Sequence, residues 1–140
     1  MSLSFNNSEL EGKNIIIVED DIPSVRYYEN LLINSGATVS VFTNGKDFIS
    51  HIDSTAERTD LVIIDFLIPF VNGIECTRLF RKARKQTPVI MITAYFSEQT
   101  KNEALIAGCS EYVLKPVYPE KIYCILEKYL RPQYRYSTLN

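Results

Sequence analysis

The chain has 140 residues, of which 46% are hydrophobic and 23% charged, so one globular domain with its own core is expected. Its net charge is −2, which argues against direct contact with nucleic acid or an anionic membrane surface, because both partners require a broad positive field. Its three cysteines are scattered without a Cys-x-x-Cys pair, so neither a disulfide framework nor a zinc site is indicated.

Apolar segments typical of strands alternate along the chain with amphipathic segments typical of helices. Three of the strand segments are almost continuous in Val, Ile and Leu, which is typical of strands covered on both faces. The predicted strands cover residues 14–18, 38–42, 61–65, 88–93 and 111–115. The predicted helices run from Pro23 toward Gly36 and then over 45–53, 73–85, 97–107 and 119–130, with Ser97 and Gly108 as caps of the fourth. These repeats predict a single doubly wound α/β domain, a five-stranded parallel sheet with five helices on its two faces.

The two ends of the chain differ from its middle. Residues 1–12 are polar and lack periodicity, which predicts a leader or linker, and a tail is predicted over 131–140. The domain itself is expected to cover 13–130. The apolar stretch LVIIDFLIPF is interrupted by Asp65 and Pro69 and is too short to span a bilayer, and the N-terminus has no signal-peptide pattern. We therefore expect a cytoplasmic protein without membrane contact by this segment.

Polar side chains stand at the carboxyl ends of the predicted strands. Glu19 and Asp20 follow the first strand, Asp65 ends the third, Thr93 the fourth and Lys115 the fifth. Sheets of this kind bind ligands at that edge, so these side chains are expected to converge. Clustered carboxylates repel one another and favour a bound cation, and an all-oxygen set with water ligands suits Mg²⁺. The residues therefore predict an acidic, Mg²⁺-binding site.

Four segments occur in order at these strand ends: VEDD, DLVIIDFLIPFVNG, VIMITAY and AGCSEYVLKP. Together they resemble the receiver domain of two-component response regulators. The resemblance implies the flavodoxin-like form of the doubly wound fold. It also implies a signalling phosphoacceptor rather than an enzyme, which takes its phosphoryl group from a sensor histidine kinase or a histidine phosphotransfer domain and acts on a downstream protein partner.

The resemblance implies a role for each matched residue. Asp65 would be the phosphoacceptor, a carboxylate nucleophile. Asp20, Asp65 and the backbone carbonyl of Leu67 would bind Mg²⁺ directly, and Glu19 would act through a metal-bound water. Lys115 would pair with the phosphoryl oxygens. The next acid in the chain, Asp21, lies outside the matched set and is expected at the start of a helix.

A switch is implied by two further matches. On phosphorylation the hydroxyl of Thr93 would be drawn to a phosphoryl oxygen, and Tyr112 would turn inward into the space that is vacated. A pre-existing equilibrium between two states, biased by one charge-assisted hydrogen bond, is enough for such a switch. A cis peptide bond is expected between Lys115 and Pro116.

The chain departs from the family pattern beside the expected phosphoacceptor. Leu67 and Tyr95 stand where small or polar residues are usual, two places after Asp65 and two after Thr93. Bulky groups there should hinder an attacking water, so a slow loss of phosphate is predicted. The segment 71–73, Val-Asn-Gly, replaces the more usual Met-Asp-Gly, which is a tolerated turn chemistry because Asn and Gly both accept positive φ.

Three surface features are also predicted. The basic residues of the third helix are expected to form a solvated face, namely Arg78, Arg81, Lys82, Arg84 and Lys85. His51 has no ligand partner at metal spacing and is expected on a helix surface. A homodimer would use the fourth helix, fifth strand and fifth helix, where Tyr112, Tyr118 and Tyr123 suit an interface.

Other functions remain open at this point. A receiver-shaped scaffold that no longer accepts phosphate is one alternative, although the matched acidic, hydroxyl and lysine residues argue against it. An Mg²⁺-dependent aspartyl-phosphate phosphatase of the haloacid dehalogenase type would need an acid where Leu67 stands, and a flavin-binding protein would need a Gly/Ser-rich phosphate loop in place of EDDIPS. No DNA-binding segment follows the domain, so we expect output through protein contacts, either as a stand-alone regulator or as a receiver of a hybrid sensor histidine kinase.

Overall fold

The computed structural model describes residues 9–131 of the chain. The predicted tail from residue 132 onward and most of the predicted leader, residues 1–8, lie outside this range. Within the range, strands and helices alternate in one sheet whose strands are all parallel and lie in the order β2-β1-β3-β4-β5. The strands are β1 (Asn14–Val18), β2 (Thr38–Phe42), β3 (Leu61–Ile64), β4 (Val89–Thr93) and β5 (Glu111–Leu114). The helices are α1 (Ile22–Leu32), α2 (Gly45–Ser54), α3 (Gly73–Ala83), α4 (Glu98–Ala107) and α5 (Pro119–Leu130). The predicted doubly wound, flavodoxin-like α/β fold is confirmed.

The helix caps follow from side chains that satisfy the first backbone N–H groups. Ser97 caps α4 by accepting a hydrogen bond from the N–H of Thr100 at 3.0 Å, and Gly108 ends that helix with φ 119°, so both predicted caps are confirmed. Asp21 caps α1 by accepting from the N–H of Ser24 at 3.1 Å, as its expected place at a helix start required. The structure also has the predicted cis bond between Lys115 and Pro116.

The first helix ends earlier than its glycine predicts. α1 stops at Leu32 because the backbone N–H and the hydroxyl of Ser35 both donate to the Leu32 carbonyl, at 3.0 and 2.7 Å. Gly36 has the positive φ expected of it, 87°, but lies in the turn after that helix. A serine side chain that competes for a terminal carbonyl therefore determines the end of the helix.

Two apolar layers, one on each face of the sheet, form the core. Alternate residues of each central strand point to opposite faces. In β1, Ile15 and Ile17 belong to the layer under α1 and α5, and Ile16 and Val18 belong to the layer under α2, α3 and α4. All four are at most 4% exposed. This double coverage explains why the central strands are apolar along their whole length.

The packed domain begins before β1. Leu10 is fully buried in the layer under α1 and α5, and its N–H donates to the carbonyl of Ser35 at 2.7 Å. Arg131, at the end of α5, forms an ion pair with Glu9 at 2.6 Å. Residues 9–12, which were expected in a polar linker, therefore lie against the domain, because the one large apolar residue among them supplies core contacts.

The basic side of α3 is only partly a solvated face. Lys82 is exposed, as predicted. In contrast, Arg81 is half-buried and donates to the carbonyls of Gly108, Arg84 and Thr87 at 2.5 to 3.0 Å. Since Gly108 is the C-cap of α4, the guanidinium of Arg81 joins the ends of α3 and α4.

Two side chains have contacts that the sequence did not predict. His51 lies on α2, as predicted, but it is half-buried there and its ring packs on Phe42 with centroids 4.9 Å apart. Asn72, which could accept a positive φ, does not adopt one. It has φ −69° and caps α3 by accepting from the N–H of Glu75 at 2.9 Å, and Phe70 has the positive φ of this loop, 70°.

Candidate functional site

Backbone hydrogen bonds continue the sheet one residue beyond three of its strands. The N–H of Glu19 donates to Phe42, that of Asp65 to Val18 and that of Lys115 to Thr93, at 2.9, 3.1 and 2.8 Å. The three polar residues therefore leave the sheet at the same edge. The sequence prediction that they meet at the carboxyl ends of the strands is confirmed by their contacts.

One ammonium group joins two carboxylates at this edge. The Nζ of Lys115 lies 2.7 Å from Oε1 of Glu19 and 2.9 Å from Oδ2 of Asp65. The side chains of Glu19, Asp65 and Lys115 are only 2%, 11% and 20% exposed. Charges this far removed from water persist only when they are paired, so each carboxylate depends on the same lysine.

The pKa values show the electrostatic balance of this group. Burial raises the pKa of Glu19 above its ordinary value, the nearby charge of Asp65 raises it further, and the hydrogen bond from Lys115 only partly offsets both. Burial lowers the pKa of Lys115, but its hydrogen bonds to Glu19 and Asp65 outweigh burial and the pKa is raised. Burial is therefore the main cause of the raised pKa of Glu19, and the charge of Asp65 adds to it.

The remaining carboxylate oxygens accept backbone hydrogen bonds. Oε2 of Glu19 accepts from the N–H of Asp21, and Oδ1 of Asp65 from the N–H of Leu67, both at 3.2 Å. Asp20 is exposed and takes no part in these contacts. Across residues 9–131, no three acidic, histidine or cysteine side chains are arranged to hold a metal ion together.

A magnesium ion nevertheless suits the donor set. Mg²⁺ binds proteins through only one or two carboxylates and keeps several waters, so a three-carboxylate cage is not needed. Glu19 and Asp65 supply two carboxylates that share one lysine, with Asp20 exposed beside them in the chain. A cation at this place would offset the charge of Asp65, which is one cause of the raised pKa of Glu19.

The expected switch residues meet in the loop after β4. Thr93 is buried and its Oγ1 accepts from the N–H of Tyr95 at 3.2 Å. The hydroxyl of Tyr112, on β5, donates to the carbonyl of Tyr95 at 2.5 Å. The ring of Tyr95 also packs on Phe66, with centroids 5.4 Å apart. Tyr95 therefore links Thr93, Tyr112 and the residue that follows Asp65.

The family model for the response regulator receiver domain matches residues 15–127, which covers the sheet except for Asn14, four complete helices and most of α5. The chain belongs to this receiver family. The resemblance to receiver domains that the sequence segments indicated is thereby confirmed.

Individual receivers and regulators are similar to this chain. The probable transcriptional regulatory protein SilR of Salmonella typhimurium is 38% identical over 73% of the chain and 44% of its own length. A CheY-like receiver protein of Methanospirillum hungatei has a TM-score of 0.80 and 27% identity over 88% of this chain and 97% of its own. The receiver domain of a sensor histidine kinase from Pseudomonas aeruginosa, which has magnesium coordinated in its active-site cleft, has a TM-score of 0.75 and 25% identity over 85% and 98%. The chain spans about half the length, or less, of the curated relatives it matches.

Two site residues of this receiver were missed by sequence reasoning. Ser24 lies in the first turn of α1, and its Oγ is 3.4 Å from Nζ of Lys115. Its spacing of three residues from the cap Asp21 was the available signal. Phe66 contacts Tyr95 across two loops, and nothing in the local sequence predicts a contact over that separation.

An apolar cleft adjoins the lysine. It has a volume of about 680 Å³ and lies between the start of α1 and the segment that joins β5 to α5. Tyr27, Tyr28 and Tyr118 are among the side chains that line it, and the hydroxyl of Tyr27 donates to the carbonyl of Val117 at 2.6 Å.

Within the described part of the chain, no helix is long and apolar enough to cross a bilayer.

Proposed function

We propose that Asp65 accepts a phosphoryl group from a phosphohistidine of a sensor histidine kinase or a histidine phosphotransfer domain, in the cytoplasm. The observation that carries the proposal is the contact of one ammonium with two buried carboxylates: Nζ of Lys115 is 2.9 Å from Asp65 and 2.7 Å from Glu19. Buried titratable groups with perturbed pKa values in a cleft are typical of reactive sites. Membership of the receiver family supports the same conclusion.

The proposed reaction is a displacement at phosphorus. An ionised oxygen of Asp65 forms a bond to phosphorus while the phosphorus–nitrogen bond of the donor breaks. The electron pair of that bond stays on the imidazole nitrogen, and protonation of the other ring nitrogen makes the leaving group a neutral histidine. The product is an acyl phosphate on Asp65. In such a loose transition state, positioning and charge neutralisation supply most of the catalysis.

The residues around Asp65 hold it in position and offset charge. The N–H of Leu67 holds Oδ1 of Asp65 at 3.2 Å, so the carboxylate is oriented before the donor arrives. The ammonium of Lys115 is close enough to transfer its hydrogen bond from Asp65 to a phosphoryl oxygen. Glu19, Asp20, Asp65 and the carbonyl of Leu67 are the proposed groups for Mg²⁺, with Glu19 acting through water. When bound, Mg²⁺ supplies positive charge for the phosphoryl oxygens.

Thr93 and Tyr112 are proposed to communicate the modification. Both contact Tyr95, Thr93 through the backbone N–H and Tyr112 through the carbonyl. If the Thr93 hydroxyl turns to a phosphoryl oxygen, it gives up the N–H of Tyr95, and the loop that holds Tyr112 changes with it. The loop is therefore a two-state element that a single hydrogen bond can bias.

The proposed output is contact with another protein. SilR is a probable transcriptional regulatory protein, but the matched segment is 44% of its length, so regulation of transcription is not carried over to this chain. A partner protein, bound directly, is the proposed recipient of the signal. The chain itself is proposed to assist its own phosphorylation and dephosphorylation without being an enzyme for another substrate.

Intact mass spectrometry tests the proposal. The chain is incubated with acetyl phosphate and Mg²⁺, with the same mixture in EDTA, and as Asp65→Asn. We expect one phosphoryl adduct that requires Mg²⁺ and is absent from the variant. No adduct on a folded wild-type chain would instead favour a scaffold that does not accept phosphate. Sustained hydrolysis of a phosphomonoester such as p-nitrophenyl phosphate would favour a phosphatase.

A further inference from the structure

The loop between β3 and α3 contains a residue in an unfavourable backbone conformation. Phe70 has φ 70°, and the N–H of Val71 donates to the carbonyl of Pro69 at 2.9 Å, so Phe70 is the central residue of a γ-turn. Phe70 is the one non-glycine residue with positive φ among residues 9–131. A γ-turn with positive φ is rare and strained for any residue with a side chain, and glycine would adopt it at little cost.

Burial does not compensate for this strain. The side chain of Phe70 is 81% exposed and belongs to neither apolar layer of the core. An exposed phenylalanine gains little from the fold, so the fold alone does not account for an aromatic residue at this place. Strained residues that persist are concentrated at functional sites, where the conformation serves the mechanism.

Phe70 lies in the loop that follows Asp65, and this loop and the loop after β4 contain three further exposed apolar side chains. Leu67 is 60% exposed, Phe96 48% and Tyr95 43%, and these three with Phe70 are called the apolar rim. The contact of Tyr95 with Phe66, next to Asp65, shows that the two loops of the rim meet. Because the carboxylate of Asp65 is only 11% exposed, a protein that delivers a phosphoryl group to it has to contact these loops.

Net charge gives such a donor little attraction to the site. The three carboxylates of Glu19, Asp20 and Asp65 are only neutralised by Lys115 together with the proposed Mg²⁺, and a phosphohistidine is itself anionic. Apolar contact is a further source of affinity, and aromatic side chains contribute more of it per residue than most others.

We propose that Phe70 is a specificity-determining residue for the protein phosphodonor. Its ring, held outward by the γ-turn, contacts an apolar surface beside the donor's phosphohistidine. This inference rests on the proposed function, since it presumes that a protein donor phosphorylates Asp65.

Four variants distinguish the effect of the aromatic ring from the effect of the backbone strain. Phe70→Gly removes the ring and relieves the strain, and Phe70→Asn removes the ring but keeps a residue that tolerates positive φ. Phe70→Tyr retains an aromatic ring. Ile33→Ala is the matched control, because Ile33 is 74% exposed but lies at the C-terminal end of α1, away from the carboxyl edge of the sheet.

Each variant is assayed with two donors, and the readout is the ratio of their rates. The small donor is acetyl phosphate. The protein donor is chosen on the wild-type chain, by screening the phosphorylated histidine kinases and histidine phosphotransfer proteins of the same genome for transfer to Asp65. We expect the ratio of protein-donor kcat/KM to acetyl phosphate rate to fall about tenfold or more in Phe70→Gly and Phe70→Asn. Phe70→Tyr and Ile33→Ala should keep the wild-type ratio.

Unfolding in urea gives a second readout. Phe70→Gly should lower the equilibrium constant for unfolding about fivefold, because relief of the strained φ outweighs the small loss of ring contacts. If Phe70 had only a structural role, its replacement would lower stability and phosphate transfer together. A Phe70→Gly protein that is more stable but accepts phosphate less well from its donor would contradict a purely structural role.

Two outcomes would overturn the inference while leaving the proposed function intact. An unchanged ratio in Phe70→Gly is one, and an equal loss in Ile33→Ala is the other. Labelling of Asp65 by acetyl phosphate, with no transfer from any protein donor of the genome, would overturn both the inference and the protein donor of the proposed function. Failure of acetyl phosphate and of every protein donor to label wild-type Asp65 would instead contradict the proposed function.

Discussion

Lys115 is the residue on which the electrostatics of the site depend. It is the shared partner of Glu19 and Asp65, and the three side chains are largely removed from water. The raised pKa of Lys115 means that its contribution to stability is fully present below the unfolded pKa and is lost as the pH rises through the folded value. For Glu19 the sign is opposite, since a raised carboxylate pKa means that burying the ionised form costs stability above the unfolded pKa. The free-energy cost of keeping buried Glu19 ionised therefore lies at the proposed phosphoacceptor site.

Leu67 and Tyr95 are predicted to control the access of water to phosphorylated Asp65. Leu67 follows Asp65 by two residues and donates its N–H to it, and Tyr95 packs over Phe66. We predict that the Leu67→Asn, Tyr95→Glu double mutant loses phosphate about tenfold faster than wild type, a barrier change of about 1.4 kcal/mol, because polar side chains admit and orient a water. The decay of the phosphorylated mass after removal of acetyl phosphate measures this rate.

The matched control for that prediction keeps the bulk of both side chains. Leu67→Met, Tyr95→Phe should retain the wild-type lifetime, since neither substitution introduces a group that orients water. Both wild-type side chains are more than 40% exposed, so the folded state tolerates the changes. A double mutant that dephosphorylates no faster than wild type would contradict the assigned role.

At the scale of elements, Arg81 joins α3 to α4 at the end of the molecule opposite the site. Its guanidinium donates to three carbonyls, including that of Gly108 at the C-cap of α4. We predict that Arg81→Ala lowers the free energy of unfolding by about 2–3 kcal/mol, because several charge-assisted hydrogen bonds to partly buried carbonyls are lost. Urea denaturation followed by circular dichroism measures the change.

A neighbouring residue on α3 distinguishes this contact from general charge effects. Lys82 is exposed, so Lys82→Ala removes the same charge and should change stability by less than about 0.5 kcal/mol. Arg81→Lys should recover only a minor part of the loss, since an ammonium cannot reach several carbonyls at once. Equal stabilities of the Arg81→Ala and Lys82→Ala variants would show that α3 and α4 do not depend on this contact.

Features of the helices and strands were predictable where they depend only on residues that are neighbours in the sequence. The caps Ser97 and Gly108 and the apolar strands follow from rules that involve a few neighbouring residues. Arg81 and Leu10 were misassigned because their partners, Gly108 and the layer under α1 and α5, are distant in sequence. The positive φ of Phe70 was unpredictable for another reason, since local propensity favours glycine or asparagine there.

The candidate site also combines features that could be predicted from the sequence with features that depend on distant residues. The edge position of Glu19, Asp65 and Lys115 could be predicted because parallel strands end together, and the matched segments assigned each residue to a strand end. The fact that one lysine bridges both acids depends on side-chain geometry, which spacing alone does not contain. The contact of Tyr95 with Phe66 joins two loops and has no local signal.

At the scale of the whole molecule, one face combines exposed apolar side chains with the edge of the sheet. β5 is an edge strand, so it offers backbone groups that no further strand among residues 9–131 covers. Ile106 on α4 is 86% exposed, Tyr118 before α5 is 67% exposed, and Leu114 at the end of β5 is 44% exposed. Apolar and aromatic side chains at an edge are typical of a surface that binds another protein.

We predict that a second copy of the chain covers this face once Asp65 is phosphorylated. Tyr112 lies on β5, and its hydroxyl donates to Tyr95 in the loop that Thr93 contacts, so the proposed switch would reach this face through Tyr112. With acetyl phosphate and Mg²⁺, the mass measured by sedimentation should rise with concentration toward twice that of the chain. Ile106→Glu should abolish this rise, because association would bury an unpaired charge in the interface. Ile33→Glu, at the C-terminal end of α1, should not. A mass that stays at one chain at all concentrations, with and without phosphorylation, would show that this face serves a different protein.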